Sequence, residues 1–334
     1  MNFNRMWFIV GYLLLLLFFG GLAVYSFTQF SQGIRALPDD FGTSVQVRDP
    51  VQPAQDVNGA EVESLSLTER APMTLLFAGD VMLSRYVDTL IQRAGTPDMP
   101  WELMADSTQH ADIFFVNLEA PFSDVGPYDD ENMVFHVRPD YVSGLNFAGV
   151  DVVSFANNHW RDAGDSGVKK TKETLADNDI AYALPGEPTL MERRGWRIGF
   201  TAGAYTIGLN QDTLKADVAS LQDQGADFIV SSMHAGVEYQ KTPSTSQETY
   251  AHAAIDAGAD LVVGHHPHVT QTIEEYNGGY IVYSLGNFIF DQFWSADTLR
   301  GQVLDVFLSE DNSTYALRDI TINNKTQPSL VEIR

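Results

Sequence analysis

The 334-residue sequence predicts an α/β domain built around clustered metal-ligand side chains, and three observations lead there. Four segments repeat one design: a small or β-branched residue, an aspartate, a short apolar run, then polar residues able to bind metal. They run from Ala111-Asp112 into Asn117-Leu118-Glu119, and from Val150-Asp151 into Asn157-Asn158-His159. The others run from Ala226-Asp227 into His234, and from Ala259-Asp260 into His265-His266-Pro267-His268. A fifth apolar run, 73–79, closes on Asp80. Such short continuous runs are strands buried on both faces, as inside α/β sheets. Helical patterns alternate with them, the second sign of α/β architecture. Third, five of the eight histidines stand at the carboxyl ends of these strands, where open α/β sheets place their ligands.

Taken in order, residues 6–27 carry no charge and match the ~20 residues of a bilayer-spanning helix. Arg5 precedes them, and Arg35 is followed by Asp39 and Asp40, which favours the amino terminus inside and the rest outside. A cleavable signal is the alternative, but 25–30 offers no small-x-small exit. Residues 1–30 therefore read as a cytoplasmic start and a retained anchor. Residues 31–72, with Pro38, Pro50, Pro53 and Pro72, read as an extracytoplasmic tether. The globular domain is expected over 73–334.

Within it, helices are expected at 86–93, 164–178, 212–224 and 246–257. The last two stop at Gly225 and Gly258, the usual left-handed helix stop. Strands are expected at 180–183 and 196–202. The tail differs, with strands at 280–284, 301–309 and 314–323 and no helices between, as in a second sheet or an antiparallel edge.

Composition narrows the chemistry. Cysteine is absent, which removes thiolate ligands and disulfides. A net charge of −24 argues against a nucleic-acid partner.

The strongest cluster is Gly264-His265-His266-Pro267-His268. Imidazole suits Zn, Mn and Fe, and three histidines in four residues exceed what packing needs. Pro267 disfavours helix at His266, so an extended segment is expected, with His266 and His268 on one side. Which two bind is left open by the sequence. Asn157-Asn158-His159 offers an amide oxygen and an imidazole, though Asn-Asn is also an ordinary turn. Asp162 either supports His159 or caps the following helix, with the cap slightly favoured. Asp80 is a ligand or a helix cap, and Gly79 beside it permits close backbone approach. Asn117 and Glu119 share one strand face. His234, with Glu238 four residues on, gains weight only from the pattern around it. Gly286-Asn287 reads as a tight turn lining the site, with Asp291 beyond. Arg85, Arg138 and Lys241 are weak candidates for an anionic substrate, and His110, His136 and His252 have no such setting.

These residues resemble those of the CapA-type family of capsule and poly-γ-glutamate synthesis proteins. The matching segments are F-A-G-D-V-M-L at 77–83, N-L-E at 117–119, A-N-N-H-W-R-D-A-G at 156–164, H-A-G-V-E-Y at 234–239, G-H-H-P-H-V at 264–269 and S-L-G-N-F-I-F-D at 284–291. That family in turn resembles calcineurin-like metallophosphoesterases, which implies a four-layer αββα sandwich of the metallo-dependent phosphatase type. The resemblance matches Asp80 to the first site aspartate, Asn158 and His159 to Gly-Asn-His with histidine as general acid, His234 to an isolated ligand, and 265–268 to the closing Gly-His-x-His. Two departures stand out. Met82 replaces a histidine, and Asn117-Leu118-Glu119 replaces Gly-Asp-x-x-Asp, so one metal position is implied but not a full pair.

Residue reading and resemblance together give a working set. The metal ligands are Asp80, Glu119, Asn158, His234, His266 and His268, holding a divalent Mn, Zn or Fe ion. His159 is the catalytic acid, and Asn117, Asp162, Glu238, His265 and Asn287 support the site or touch substrate. The implied protein is a membrane-anchored, extracytoplasmic, metal-dependent hydrolase-like domain. Its partners are an anionic or peptide-like surface polymer and other membrane synthase subunits. A non-catalytic polymer-binding or assembly subunit is the rival, and a solute-binding protein is a weaker third reading.

Overall fold

The aspartates that precede the predicted strands are clamps between neighbouring strands. Asp112 donates its N–H to the Thr74 carbonyl (2.9 Å) and accepts the Thr74 N–H on its carboxylate (2.8 Å). Asp151 does the same with Phe114 (3.0 and 2.9 Å), Asp227 with Arg197 (2.7 and 2.9 Å) and Asp260 with Ile229 (2.8 and 2.7 Å). Each pair of bonds fixes where one strand starts against the next. Register matters here because a one-residue slip would turn every side chain to the other face. The clamps sit at the strand starts, so the polar clusters emerge together at the opposite ends.

The computed structural model describes residues 70–124 and 133–331, which fall within the unit 65–334. The expected anchor over 6–27 and all but the last three residues of the tether lie outside these. Among the described residues no helix is long and apolar enough to cross a membrane.

In chain order the first elements are β1 (Met73–Val81), α1 (Arg85–Ala94), α2 (Ala105–Gln109), β2 (Ile113–Leu118), α3 (Val142–Ala148), β3 (Val152–Ser154), α4 (Gly164–Ala176) and β4 (Ala181–Ala183). Then come β5 (Thr189–Arg193), β6 (Trp196–Ala204), α5 (Gln211–Asp223), β7 (Phe228–His234), α6 (Thr245–Ala257) and β8 (Leu261–His265). The last are β9 (Ile273–Tyr276), β10 (Gly279–Val282), β11 (Asn287–Ile289), β12 (Arg300–Leu308), β13 (Ser313–Ile322) and β14 (Pro328–Leu330). They form two mixed sheets. One runs β14-β13-β12-β1-β2-β3-β4 with β11 beside β1, and the other runs β5-β6-β7-β8-β10-β9. Strands β1 to β4 are parallel, and so are β6, β7, β8 and β10. The tail strands β12 to β14 extend the first sheet as an antiparallel edge rather than forming a separate one. Helices α2 and α3 and edge strands β5 and β9 were not expected from the sequence, being short or half-polar.

The strand period sorts the core. Phe228 and Val230 of β7, Leu261 and Val263 of β8 and Val282 of β10 join the core shared with the first sheet. Their alternates Ile229, Met233, Val262, Ile281 and Tyr283 pack instead with Leu214, Val218 and Leu221 of α5 and Tyr250 and Ile255 of α6. Successive side chains point to opposite faces, so the second sheet is covered by helices on one side and by the first sheet on the other. Between the sheets, Phe115 of β2 stacks on Phe200 of β6 at 5.8 Å and 11°. Its neighbour Phe114 faces the other way and meets Phe288 at 6.1 Å, beside Trp101. Truncating a buried phenylalanine of this kind costs about 3–5 kcal/mol.

Candidate metal centre

β1 changes partner at the site. Residues 73–77 pair with β12, then a bulge follows, and Asp80 pairs with Asn117 of β2 and Asn287 of β11. The Asp80 N–H donates to the Gly286 carbonyl at 3.0 Å. A Cβ on Gly79 would fall on that same carbonyl, so glycine is required there for the backbones to meet. Asp80 does not cap α1; Ser84 occupies that position.

From Asp80 a directed chain of hydrogen bonds crosses four strand ends. The Asn117 amide donates to Asp80 Oδ1 (2.8 Å) and to His234 Nδ1 (3.2 Å). With its Nδ1 accepting, His234 carries its proton on Nε2, which meets Asn158 Oδ1 at 2.8 Å. The Asn158 amide then donates to His159 Nε2 at 2.9 Å. The remaining His159 proton is on Nδ1, donated to Asp162 Oδ2 at 2.7 Å. These tautomers follow from the amide orientations. Asn157 braces the chain by donating to the Leu118 carbonyl (2.7 Å) and accepting the His159 N–H (3.0 Å).

The histidine turn is not extended. His266 and His268 have φ of 94° and 58°, a left-handed region that non-glycine residues rarely adopt. Proline only biases its predecessor towards extended backbone, and tertiary bonds override it. The His266 N–H donates to Asp80 Oδ2 at 3.3 Å, and Tyr239 N–H to the Pro267 carbonyl at 2.8 Å. The turn still brings the His266 and His268 rings within 6.0 Å and sets His266 4.8 Å from His234. His268 Nδ1 lies between two acceptors, Asn287 Oδ1 (3.0 Å) and Asp80 Oδ2 (3.1 Å), so it bears the proton. Its Nε2 lone pair then faces Glu119 Oε1 at 3.5 Å. A histidine that donates one N–H to a carboxylate and frees the other nitrogen has the form of a metal ligand.

Two groups of side chains bring ligand atoms within 4.8 Å of one another: Asp80, Glu119 and His268, and Glu238, His266 and His268. Whether the residues fit a cation is answered by their unsatisfied atoms. Both Glu119 oxygens and His266 Nδ1 are buried without a hydrogen-bond partner among the described residues, while His265, outside both groups, pairs its Nδ1 with Asp80 at 3.4 Å. Polar atoms are rarely left so, and a divalent ion would satisfy them. The donors, carboxylate and imidazole, suit Mn, Zn or Fe. Electrostatics agree. Burial would push Asp80 up, but His265 and His268 beside it together hold its carboxyl well below the usual range. Burial pushes Glu119 well up, reinforced by the charges of Asp80 and Glu238. Burial, then its neighbour His266, pushes His234 down, and burial, then His268, does so for His266. Both imidazoles are thereby neutral near pH 7, the state that binds metal.

The residues of the metal, catalytic and supporting set lie in one cluster, with differences of place. Glu238 stands in a ligand group rather than as a support. His234 and Asn158 stand beside the two groups, bonded to each other. Asp162 does not cap α4, whose preceding residue is Ala163 without a side-chain cap, and instead holds His159 and the Phe135 N–H (2.8 Å). Sequence reasoning undervalued Arg85 and missed Phe135. Arg85 pairs with Asp291 at 3.2 Å and lies over Phe135, whose ring is 4.6 Å from His159. Arg138 and Lys241 instead pair with Asp140 and Asp297.

The fold and site thus define an α/β protein with a histidine- and carboxylate-rich cluster at the carboxyl ends of its parallel strands. Among known proteins, residues 74–292 match the profile of the family described as bacterial capsule synthesis protein PGA_cap. The chain belongs to that family. It is 32% identical over 283 residues to the capsule biosynthesis protein CapA of Bacillus anthracis, covering 76% of this chain and 68% of that one. It is 33% identical over 246 residues to the PGA biosynthesis protein CapA of Bacillus subtilis, covering 66% and 63%. A probable polyglutamine synthesis accessory protein of Mycobacterium tuberculosis is 26% identical over 283 residues, covering 66% and 74%. A crystal structure of a hypothetical protein from Thermus thermophilus overlays with a TM-score of 0.47 at 17% identity, covering 74% and 99%, too loosely to bear on function.

Proposed function

We propose that this chain is an accessory protein of capsule or poly-γ-glutamate-type surface-polymer synthesis or export, and that its cluster holds a divalent cation to hydrolyse a phosphoester or amide bond. The observation that carries this is Glu119, which is fully buried beside Asp80 and His268 with neither oxygen hydrogen-bonded among the described residues. An unpaired buried carboxylate is costly, and a cation removes the cost. Asp80, Glu119 and His268 would hold the ion, with Glu238 and His266 grouped around the same His268 and His234 beside His266, bonded to Asn158. A divalent cation in such a site supplies Lewis acidity and an acidified water.

The chain's own residues orient and move protons. Asp162 fixes the His159 ring through Nδ1. A proton on Nε2 displaces the bond from the Asn158 amide, and the freed Nε2–H can be given to a leaving oxygen, a contribution of about 10²–10⁴ in rate. Phe135 against the ring helps keep bulk water away. Taken with the resemblance, the two sheets and their helices make a four-layer αββα sandwich of the metallo-dependent phosphatase type. In this reading residues 6–27 anchor the chain, the domain over 73–334 lies outside the cell, and other membrane synthase subunits are its partners.

A second reading, a non-catalytic polymer-binding or assembly subunit, is favoured by one residue. Met82, fully buried, stands where metallophosphoesterases place a histidine. One experiment separates the two: His159→Ala in the full chain, tested on phosphoester and γ-glutamyl amide substrates and for polymer production in cells. The hydrolase reading expects hydrolysis to fall about 10²–10⁴-fold with metal retained. Unchanged polymer production would favour the assembly subunit.

A further inference from the structure

Exposed aromatic rings line one side of the ligand cluster. Tyr86 and Phe293 meet edge-to-face at 6.1 Å, Tyr239 and Trp294 do the same at 6.1 Å, and Phe293 and Trp294 are chain neighbours. Tyr239 leads inward, 6.3 Å from the His268 ring. All four rings are exposed, Trp294 by 60%. They are also held in place. Asp291 accepts the Tyr86 N–H at 3.0 Å, and Gln292 donates to the Tyr239 hydroxyl at 3.4 Å while accepting from Asn287 at 3.0 Å. Asn287 in turn faces His268. A fixed, contiguous aromatic patch beside a polar cluster marks a binding surface, since such patches are otherwise buried.

Charge decides what it binds. Arg85 is engaged by Asp291, and Lys241 by Asp297 of the same loop at 2.8 Å. Glu238 precedes Tyr239 and adds a negative charge. A γ-glutamyl chain carries a carboxylate on every residue and needs cations to answer them. The rings beside neutralised cations instead suit an uncharged ligand with flat apolar faces. A pyranose ring has such a face in its axial C–H bonds, with hydroxyls at its edge for the Tyr239 hydroxyl.

We infer that Tyr86, Tyr239, Phe293 and Trp294 form a saccharide subsite that presents a neutral hexose or N-acetylhexosamine oligomer to the ligand cluster. The inference does not rest on the proposed catalytic centre, because the binding itself needs no metal.

The test titrates the full chain with the N-acetylglucosamine tetramer and with cellotetraose, by calorimetry and tryptophan emission, with and without EDTA. Saturable binding of at least one, insensitive to EDTA and about tenfold weaker in both Trp294→Ala and Tyr239→Ala, is expected. Both side chains are exposed, and unchanged melting of the variants shows that they fold. No saturable heat with either oligosaccharide, binding unchanged in the two variants, or displacement by poly-γ-glutamate would overturn the inference. Saccharide binding by a chain that holds no metal would support it while removing the hydrolase reading.

Discussion

Asp80 and Glu119 lie side by side, yet their carboxyls are pushed in opposite directions. Asp80 is surrounded by donors, with Asn117, the His266 N–H and His268 all pointing at it. At Glu119 burial and the charges of Asp80 and Glu238 outweigh the favourable charge of Arg85. That asymmetry leaves Asp80 ionised and Glu119 waiting for a cation. His159 is set up differently, through Asp162. Asp162→Asn keeps an acceptor for Nδ1–H but cannot balance an imidazolium. If the proposed hydrolase reading holds, kcat of the metal-loaded chain should fall about 10–100-fold with KM and metal content little changed. An unchanged kcat would mean that Asp162 serves only the Phe135 backbone. Much of this was legible in the sequence, because a ligand residue after a buried strand is a local pattern. The left-handed turn at His266 and His268 was not, since it depends on bonds from Asp80 and Tyr239. The role of Asp162 was hidden for the same reason, since helix cap and histidine partner have the same spacing.

At the scale of elements, the repeated aspartates explain why the strand ends coincide. The sequence displayed them as a recurring motif but not their function, which exists only when the next strand lies alongside. Asp260 shows what a clamp is worth. Burial raises its pKa above the usual aspartate value, opposed by the Ile229 N–H. A carboxyl with a raised folded pKa binds more protons folded than unfolded, so its contribution to stability falls as pH rises through that folded pKa. Asp260→Asn keeps an acceptor for Ile229 N–H and removes the buried charge. Melting at pH 7 should be little changed or higher, with a weaker loss of stability between acid and neutral pH. Asp260→Ala loses the bond and should cost about 1–3 kcal/mol. Equal melting curves for both variants would show that the clamp contributes nothing. The aromatic loop after β11 was the least legible element, because its contact with Tyr86 spans 205 residues.

Across the whole molecule, a chain of net charge −24 is proposed to work on or near anionic polymer, and a bound cation is what reconciles the two. The proposed anchor has its own check. The full chain should stay with membranes through carbonate washing, and release of a shortened, processed form would show residues 6–27 to be a cleaved signal. The alternation of strands and helices was readable along the chain, whereas the division into two sheets was not, because nothing local tells β4 from β6. The central claim is that the strand-end cluster is a metal centre. Its most direct test is the metal content of the purified full chain after exposure to Mn, Zn or Fe and removal of excess ion. At least one tightly held ion per chain is expected, falling sharply in His266→Ala and Glu119→Gln variants that still melt cooperatively. A folded chain that retains no divalent ion, or variants that retain as much as the parent, would contradict it.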